Sequence, residues 1–195
     1  MGRMGWQTLY RKPNTSWKNK ENKIYPYLLK DLKTDHRNQV WVWGIDITYV
    51  PMRRGFMYLC AIIDLHARYV VNWGISNTMS AEWCCQIVEE AVDIHGKPEI
   101  INSDQGSQFT SQEYTEMLSD KGIQISMDGK GRAIDNIFIE RLWKSVKYEC
   151  VYLHAFEDGV QLYNGLDTYF TFYNTERFHQ SLDYETPESL YKKAA

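Results

Sequence analysis

Cysteine is scarce in this chain and badly placed for bonding. Cys60, Cys84, Cys85 and Cys150 are the only four in 195 residues, and they show neither a Cys-x-x-Cys pair nor Cys/His ligand spacing. Neither a disulfide frame nor a zinc site is indicated, so buried free thiols and a reducing compartment are expected. No run of about eighteen apolar residues and no signal-peptide pattern occurs, which predicts a soluble chain that is not exported and has no membrane partner. Internal repeats and low-complexity tracts are also missing. So is the cationic surplus usual in nucleic-acid proteins, because the net charge is −3.

The distribution of that charge is more informative than its sum. Residues 1–40 hold nine Lys/Arg against three Asp/Glu, so the rest of the chain is acidic by nine charges. A basic arm on an acidic body suits a polyanion held beside carboxylates that need cations, although a solubilising tail has the same composition. Residues 1–36 show no sustained hydrophobic period. Their scattered aromatics and charges read as a basic arm or linker, with residues 37–193 as one folded core.

From residue 39 onward the texture changes. Three β-branched and aromatic runs, 40–50, 56–66 and 68–76, are joined by short turns and predict an antiparallel meander. Ser80 opens a helix with Trp83, Ile87, Val88, Ala91 and Ile94 on its inner face, ended by Gly96 and Pro98. A strand at 99–104, a helix from Ser111 to Lys121 and a strand at 123–127 follow. The order is that of an α/β fold, a mixed sheet of five strands with helices packed on it. Residues 131–149 and 156–174 read as two further helices, the second with an aromatic stripe suited to a core. Thr186 and Pro187 start a last short one.

The 131–149 helix carries two opposed faces. Asn136, Glu140, Lys144 and Lys147 fall within about 40° of one line, and Phe138, Ile139, Leu142 and Val146 lie on the other side. A solvated helix with Glu-to-Lys pairs four residues apart would look the same. Two more acids stand where chemistry would want them. Asp46 lies in the first apolar strand on the side of Val42, Gly44 and Thr48, where an ionised group is costly unless paired or metal-bound. Asp104 ends the fourth strand, at the carboxyl edge where α/β folds put their sites. If the first and fourth strands are neighbours, Asp46 and Asp104 are adjacent, with Glu140 over them. Oxygen ligands without His or Cys select Mg²⁺ or Mn²⁺. A lone strand Asp that only satisfies hydrogen bonds, and a loop Asp before Gly that only makes a turn, remain the plainer alternatives.

The words around these acids narrow the choice. WGIDITYVP, INSDQGSQFT, GRAIDNIFIERLWKSVKYE and YNTERFHQSLDYETP, in this order and with thirty-five residues between Asp104 and Glu140, resemble the integrase core of bacterial insertion-sequence transposases. That group belongs to the retroviral-integrase, or DDE, superfamily. The resemblance implies a ribonuclease H-like fold, Mg²⁺- or Mn²⁺-dependent DNA cutting and strand transfer with a pair of ions, and Asp46, Asp104 and Glu140 as catalytic metal ligands. It implies element-end and target DNA as partners, a homo-oligomer in the active complex, and the bacterial cytoplasm as location. Lys144 and Lys147 are then expected to hold phosphate, with Asn136 and Gln108 as further DNA contacts. Two departures stand out: Phe178 replaces the Pro usual between Arg177 and His179, and the helix-turn-helix region usual upstream is not read here, so a catalytic portion is expected. A nuclease of the same fold, a tyrosine recombinase using Arg177, His179 and Tyr184, and an inactive DNA-binding remnant are the rival readings.

Overall fold

The computed structural model describes residues 23–30, 41–129 and 137–193. Five strands form one sheet in the order β3-β2-β1-β4-β5, with β1 Val42–Pro51, β2 Phe56–Asp64, β3 Val70–Ser76, β4 Ile100–Ser103 and β5 Gln124–Met127. The meander β1–β2–β3 is antiparallel, as the three closely spaced β-rich runs predict. β4 and β5 then add to the other side of β1 in parallel. The short carboxyl-edge strand at 99–104 therefore lands beside the first strand.

Alternation along β1 sorts its side chains between two cores. Val42 and Val50 face one core, with Ile139, Leu142 and Val146 of α3 (Ile137–Glu149) and Leu162, Leu166 and Phe170 of α4 (Gly159–Thr175). Trp43 and Ile45 face the other, with Cys84, Ile87, Val88 and Ala91 of α1 (Ala81–His95) and Tyr114 and Leu118 of α2 (Gln112–Asp120). The last helix, α5 (Pro187–Lys193), adds Tyr191 to this second core. Helices thus cover both faces of the sheet.

The caps follow the sequence signals. Ser80 Oγ accepts from Trp83 N, Ser111 Oγ from Tyr114 N and Thr186 Oγ1 from Ser189 N. All four cysteines are buried and free. Among the described residues no helix is long and apolar enough to cross a membrane. Two expectations of burial fail. Ile94, in the last turn of α1, is 72% exposed. Tyr163 is 49% exposed and lays only one side of its ring on Trp73.

Residues 23–30, within the stretch read as an arm, lie against β5. Leu28 N donates to Ser126 Oγ, Met127 N to Pro26 O, and Leu29 is buried in the first core.

Candidate active site

β1 and β4 pair in parallel through Val42 with Ile100, Trp43 with Ile101 and Gly44 with Asn102. Carried on by two residues, the register brings Asp46 level with Asp104. Asp46 then lies in the middle of β1 and Asp104 just past the carboxyl end of β4, both on the side of the sheet covered by α3. A buried polar network fixes the end of β4 beneath them: Asn102 Nδ2 donates to Asp128 Oδ1, and Ser126 Oγ donates to Asn102 Oδ1. Asp104 itself is exposed in the loop that follows, and its Oδ1 accepts from Gly106 N over 2.8 Å. A Cβ added to Gly106 would stand 2.9 Å from that oxygen, so a side chain there would push the carboxylate away.

Asp46 is held from the helix side. Trp143 Nε1 donates to its Oδ2 over 2.8 Å. Burial pushes the Asp46 carboxyl up to about 6; the bonds from Trp143 and from the Ile47 backbone oppose this, and the charges of Asp104 and Glu140 add to it. The charges of Asp104 and Glu140 thus reach Asp46. Glu140 is exposed in the first turn of α3. The three acids do not form a tight cage: among the described residues no group of three or more His, Cys, Asp or Glu side chains is gathered closely enough to hold a metal.

The lysine stripe separates into two parts. Lys147 Nζ donates to Thr48 Oγ1 over 2.7 Å, on the same side of β1 as Asp46. Burial lowers its pKa, and the nearby Asp46 charge opposes the shift. Lys144 is exposed and borders a different cavity, shared with Arg68, Arg141 and His179. Gln108 Nε2 donates to Met79 O, which ties it to the loop before α1. Asn136 lies outside the described residues. Sequence reasoning missed Trp143, which it assigned to neither face of the helix. The available signal was its spacing of three residues from Glu140, which turns it toward the same strand.

Phe178 is 69% exposed. The turn after it closes without proline, through His179 N to Glu185 O and an isolated bridge between those residues.

A family model described as the integrase core domain matches residues 35–133, and a second model with the same description matches residues 121–187. The transposase for insertion sequence element IS904 of Lactococcus lactis is 34% identical over 171 residues, covering 86% of this chain and 67% of the relative. The chain belongs to the integrase core family of insertion-sequence transposases.

Membership places it in the DDE superfamily. The transposase InsF for insertion sequence IS3A of Escherichia coli is 34% identical over 112 residues, 56% of this chain and 39% of that one. The chain thus spans between about two fifths and two thirds of the length of these relatives. Solved integrases share the fold. A chain of the simian T-cell lymphotropic virus intasome matches with a TM-score of 0.67 at 18% identity, over 93% of this chain and 61% of that chain. The catalytic core domain of HTLV-2 integrase, solved in complex with magnesium, matches at 0.57 and 20% identity, over 80% and 94%. The expected ribonuclease H-like sheet of five strands flanked by helices is therefore the fold found.

Proposed function

We propose that this chain cuts a DNA phosphodiester with water and joins the freed 3′-hydroxyl to another DNA phosphate, using Asp46, Asp104 and Glu140 as ligands for Mg²⁺ or Mn²⁺. The observation that carries the proposal is the parallel β1–β4 register, which pairs Gly44 with Asn102; continued by two residues, it supports Asp46 standing level with Asp104. The donor set fits a hard cation: it is all carboxylate oxygen, and Asp46 carries an ionisation cost that a cation would offset. A bound pair of such ions supplies activation of the attacking oxygen and neutralisation of the leaving one.

The chain's own groups do the rest. Trp143 fixes the orientation of Asp46 and leaves its other oxygen directed away from the indole. Asp104 is held by the Gly106 amide on a loop that begins where β4 ends. Glu140 comes from α3, so its approach is set by how that helix packs on β1. Lys147, beside Thr48 and Asp46, offers a positive charge to a phosphate oxygen next to the acids. Gln108 and Asn136 are further contacts to the DNA backbone or bases, and the basic stretch before residue 37 adds phosphate contacts outside the core. Joining two element ends requires at least two copies in the active complex, acting on DNA in the bacterial cytoplasm.

The test is a strand-transfer assay on a labelled oligonucleotide with one pre-cleaved 3′ end, in Mg²⁺ or Mn²⁺. Cut and joined products are expected from the wild-type chain, and neither from Asp46→Asn, Asp104→Asn or Glu140→Gln. Activity in any of the three variants, or cutting that survives EDTA, refutes the assignment. Cutting without joining reduces the chain to a nuclease.

A further inference from the structure

β5 ends the sheet on one side, and residues 25–28 lie along its outer edge. Met127 N donates to Pro26 O, Tyr25 N to Met127 Sδ, and Leu28 N to Ser126 Oγ over 3.0 Å. The segment is gripped from both faces of the sheet: Leu29 is buried in the first core, Tyr27 and Leu28 pack against that core, and Tyr25 packs against the second.

From Ser126 the bonds continue inward. Ser126 Oγ donates to Asn102 Oδ1 over 2.7 Å, and Asn102 Nδ2 donates to Asp128 Oδ1 over 2.8 Å. Gln105 Nε2 donates to Asp128 O over 2.8 Å, and Asp128 N donates to Ser103 O over 2.9 Å. Asp128 is thus bonded to Asn102, Ser103 and Gln105, the residues on either side of Asp104. Ser126, Asn102 and Asp128 are all buried.

One charge sets the direction of the chain of bonds. An ionised carboxylate only accepts, so Asp128 turns the NH₂ of Asn102 toward itself and leaves the Asn102 oxygen facing Ser126. The single hydroxyl proton of Ser126 is spent on that oxygen. What remains on Ser126 Oγ is a lone pair, which takes an N–H and repels a carbonyl. The backbone N–H of Leu28 fills that place. Each place left empty in such a buried network is costly, so its groups hold one arrangement.

We propose that residues 25–29 are a strap that sets the position of Asp104: the docking of Leu28 on Ser126 fixes Asn102 and Asp128, and these fix the loop from Ser103 to Gly106. Asn102, Gln105, Ser126 and Asp128 are positioning residues that touch no reacting atom. The proposal rests on the reading of Asp104 as a metal ligand and adds a coupling to it. Cation binding and strap docking strengthen each other by the same factor. Asp104 needs this support more than its partners do. Asp46 stands within β1 and is bonded to Trp143, and Glu140 rides on a 13-residue helix. Asp104 is exposed in a loop and bonded to the Gly106 amide of that same loop. A ligand so placed keeps its geometry only if the loop is held from outside.

The experiment titrates Mn²⁺ into the full chain, followed by the electron paramagnetic resonance of the free ion, beside amide NMR spectra of the metal-free protein. Ser126→Ala removes the hydroxyl that receives Leu28 and holds Asn102. Leu28→Pro removes the donated N–H from a segment that already contains Pro26. Asp104→Asn gives the background affinity of the remaining acids. Ser126→Ala should weaken Mn²⁺ binding about ten- to a hundredfold. Leu28→Pro should weaken it too, and the double variant should be no weaker than Ser126→Ala alone, because both act through one bond. Ser80→Ala removes the cap of α1, lowers stability by a similar mechanism, and should leave Mn²⁺ affinity unchanged. The Gly106 amide resonance, which reports the bond to Asp104 Oδ1, should move in Ser126→Ala and Leu28→Pro and hold its place in Ser80→Ala. Three results overturn the proposal: wild-type Mn²⁺ affinity in Ser126→Ala, additive losses in the double variant, or a Gly106 resonance that moves as far in Ser80→Ala. If the wild-type chain binds no Mn²⁺, the metal reading fails, and the Gly106 resonance alone decides whether the strap sets Asp104.

Discussion

Trp143 and Asp46 are ninety-seven residues apart in sequence and 2.8 Å apart in space, joined by a bond from indole nitrogen to carboxylate oxygen. The bond favours the ionised acid, so its removal should act through pH. Trp143→Phe keeps an aromatic ring in the core but loses the donor. Above pH 7 the variant should lose about 1.5–3 kcal/mol, the usual worth of a hydrogen bond to a charged group, and much less near pH 4. The rise of DNA cutting with pH should move upward by about one unit. Urea melts at the two pH values and a pH–rate profile check both; equal destabilisation at both pH values would make the bond irrelevant.

Asp46 itself should cost stability when ionised. Its folded pKa, about 6, lies above the usual value of 3.8, so between these values the folded chain binds more protons than the unfolded one. Stability contributed by the protonated acid is present below about 3.8 and lost as pH rises through about 6. Asp46→Asn, measured in EDTA, should match wild type near pH 3.5 and exceed it by about 1–3 kcal/mol at pH 8. Thermal melts across that range decide, and a variant less stable at pH 8 would show that the carboxylate is a net structural asset.

Lys147 should contribute to both binding and chemistry, whereas Thr48 serves only to orient it. Lys147→Ala should lower cutting by about ten- to a hundredfold and flatten the salt dependence of binding by about 1. Thr48→Val removes the acceptor while keeping the shape, and should leave cutting within about threefold of wild type. Single-turnover rates beside anisotropy titrations separate the two effects.

Gly165 lies inside α4, where alanine would ordinarily stabilise by about 0.5–1 kcal/mol. Here a Cβ would sit 2.5 Å from Cζ of the buried Phe156, and overpacking costs about 1–3 kcal/mol. The clash should win. Gly165→Ala is expected to lower the denaturant midpoint, and Gly165→Ala with Phe156→Leu should recover part of the loss.

The sheet and its helices were legible because their signals are local. Strand alternation in 42–50, the Ser80 and Ser111 caps and the short turns each need only a few neighbouring residues. Asp46, Asp104 and Glu140 were legible as acids in unusual settings, and the family words tied them together. Trp143 was not, since its partner depends on how far α3 is rotated against β1. The same rotation divides Lys144 from Lys147, which a wheel drawn for an isolated helix places on one face. Ile94 shows the matching limit: periodicity fixes the direction of a side chain and cannot say whether anything covers it there.

The strand order has a consequence for how the chain is made. β1, β2 and β3 pair with their sequence neighbours and need no distant part of the chain. The β1–β4 pairing joins residues such as Gly44 and Asn102 across two intervening strands and a helix, and such non-local contacts form late because loop closure must come first. Glu140 arrives on a still later element. A ribosome-bound product that stops anywhere before α3 carries at most two of the three acids, and one that stops before β4 carries a single acid on a three-stranded meander. On the assignment proposed above, a partly translated chain is therefore inert, and any capacity to break DNA emerges only once the chain is long enough to fold.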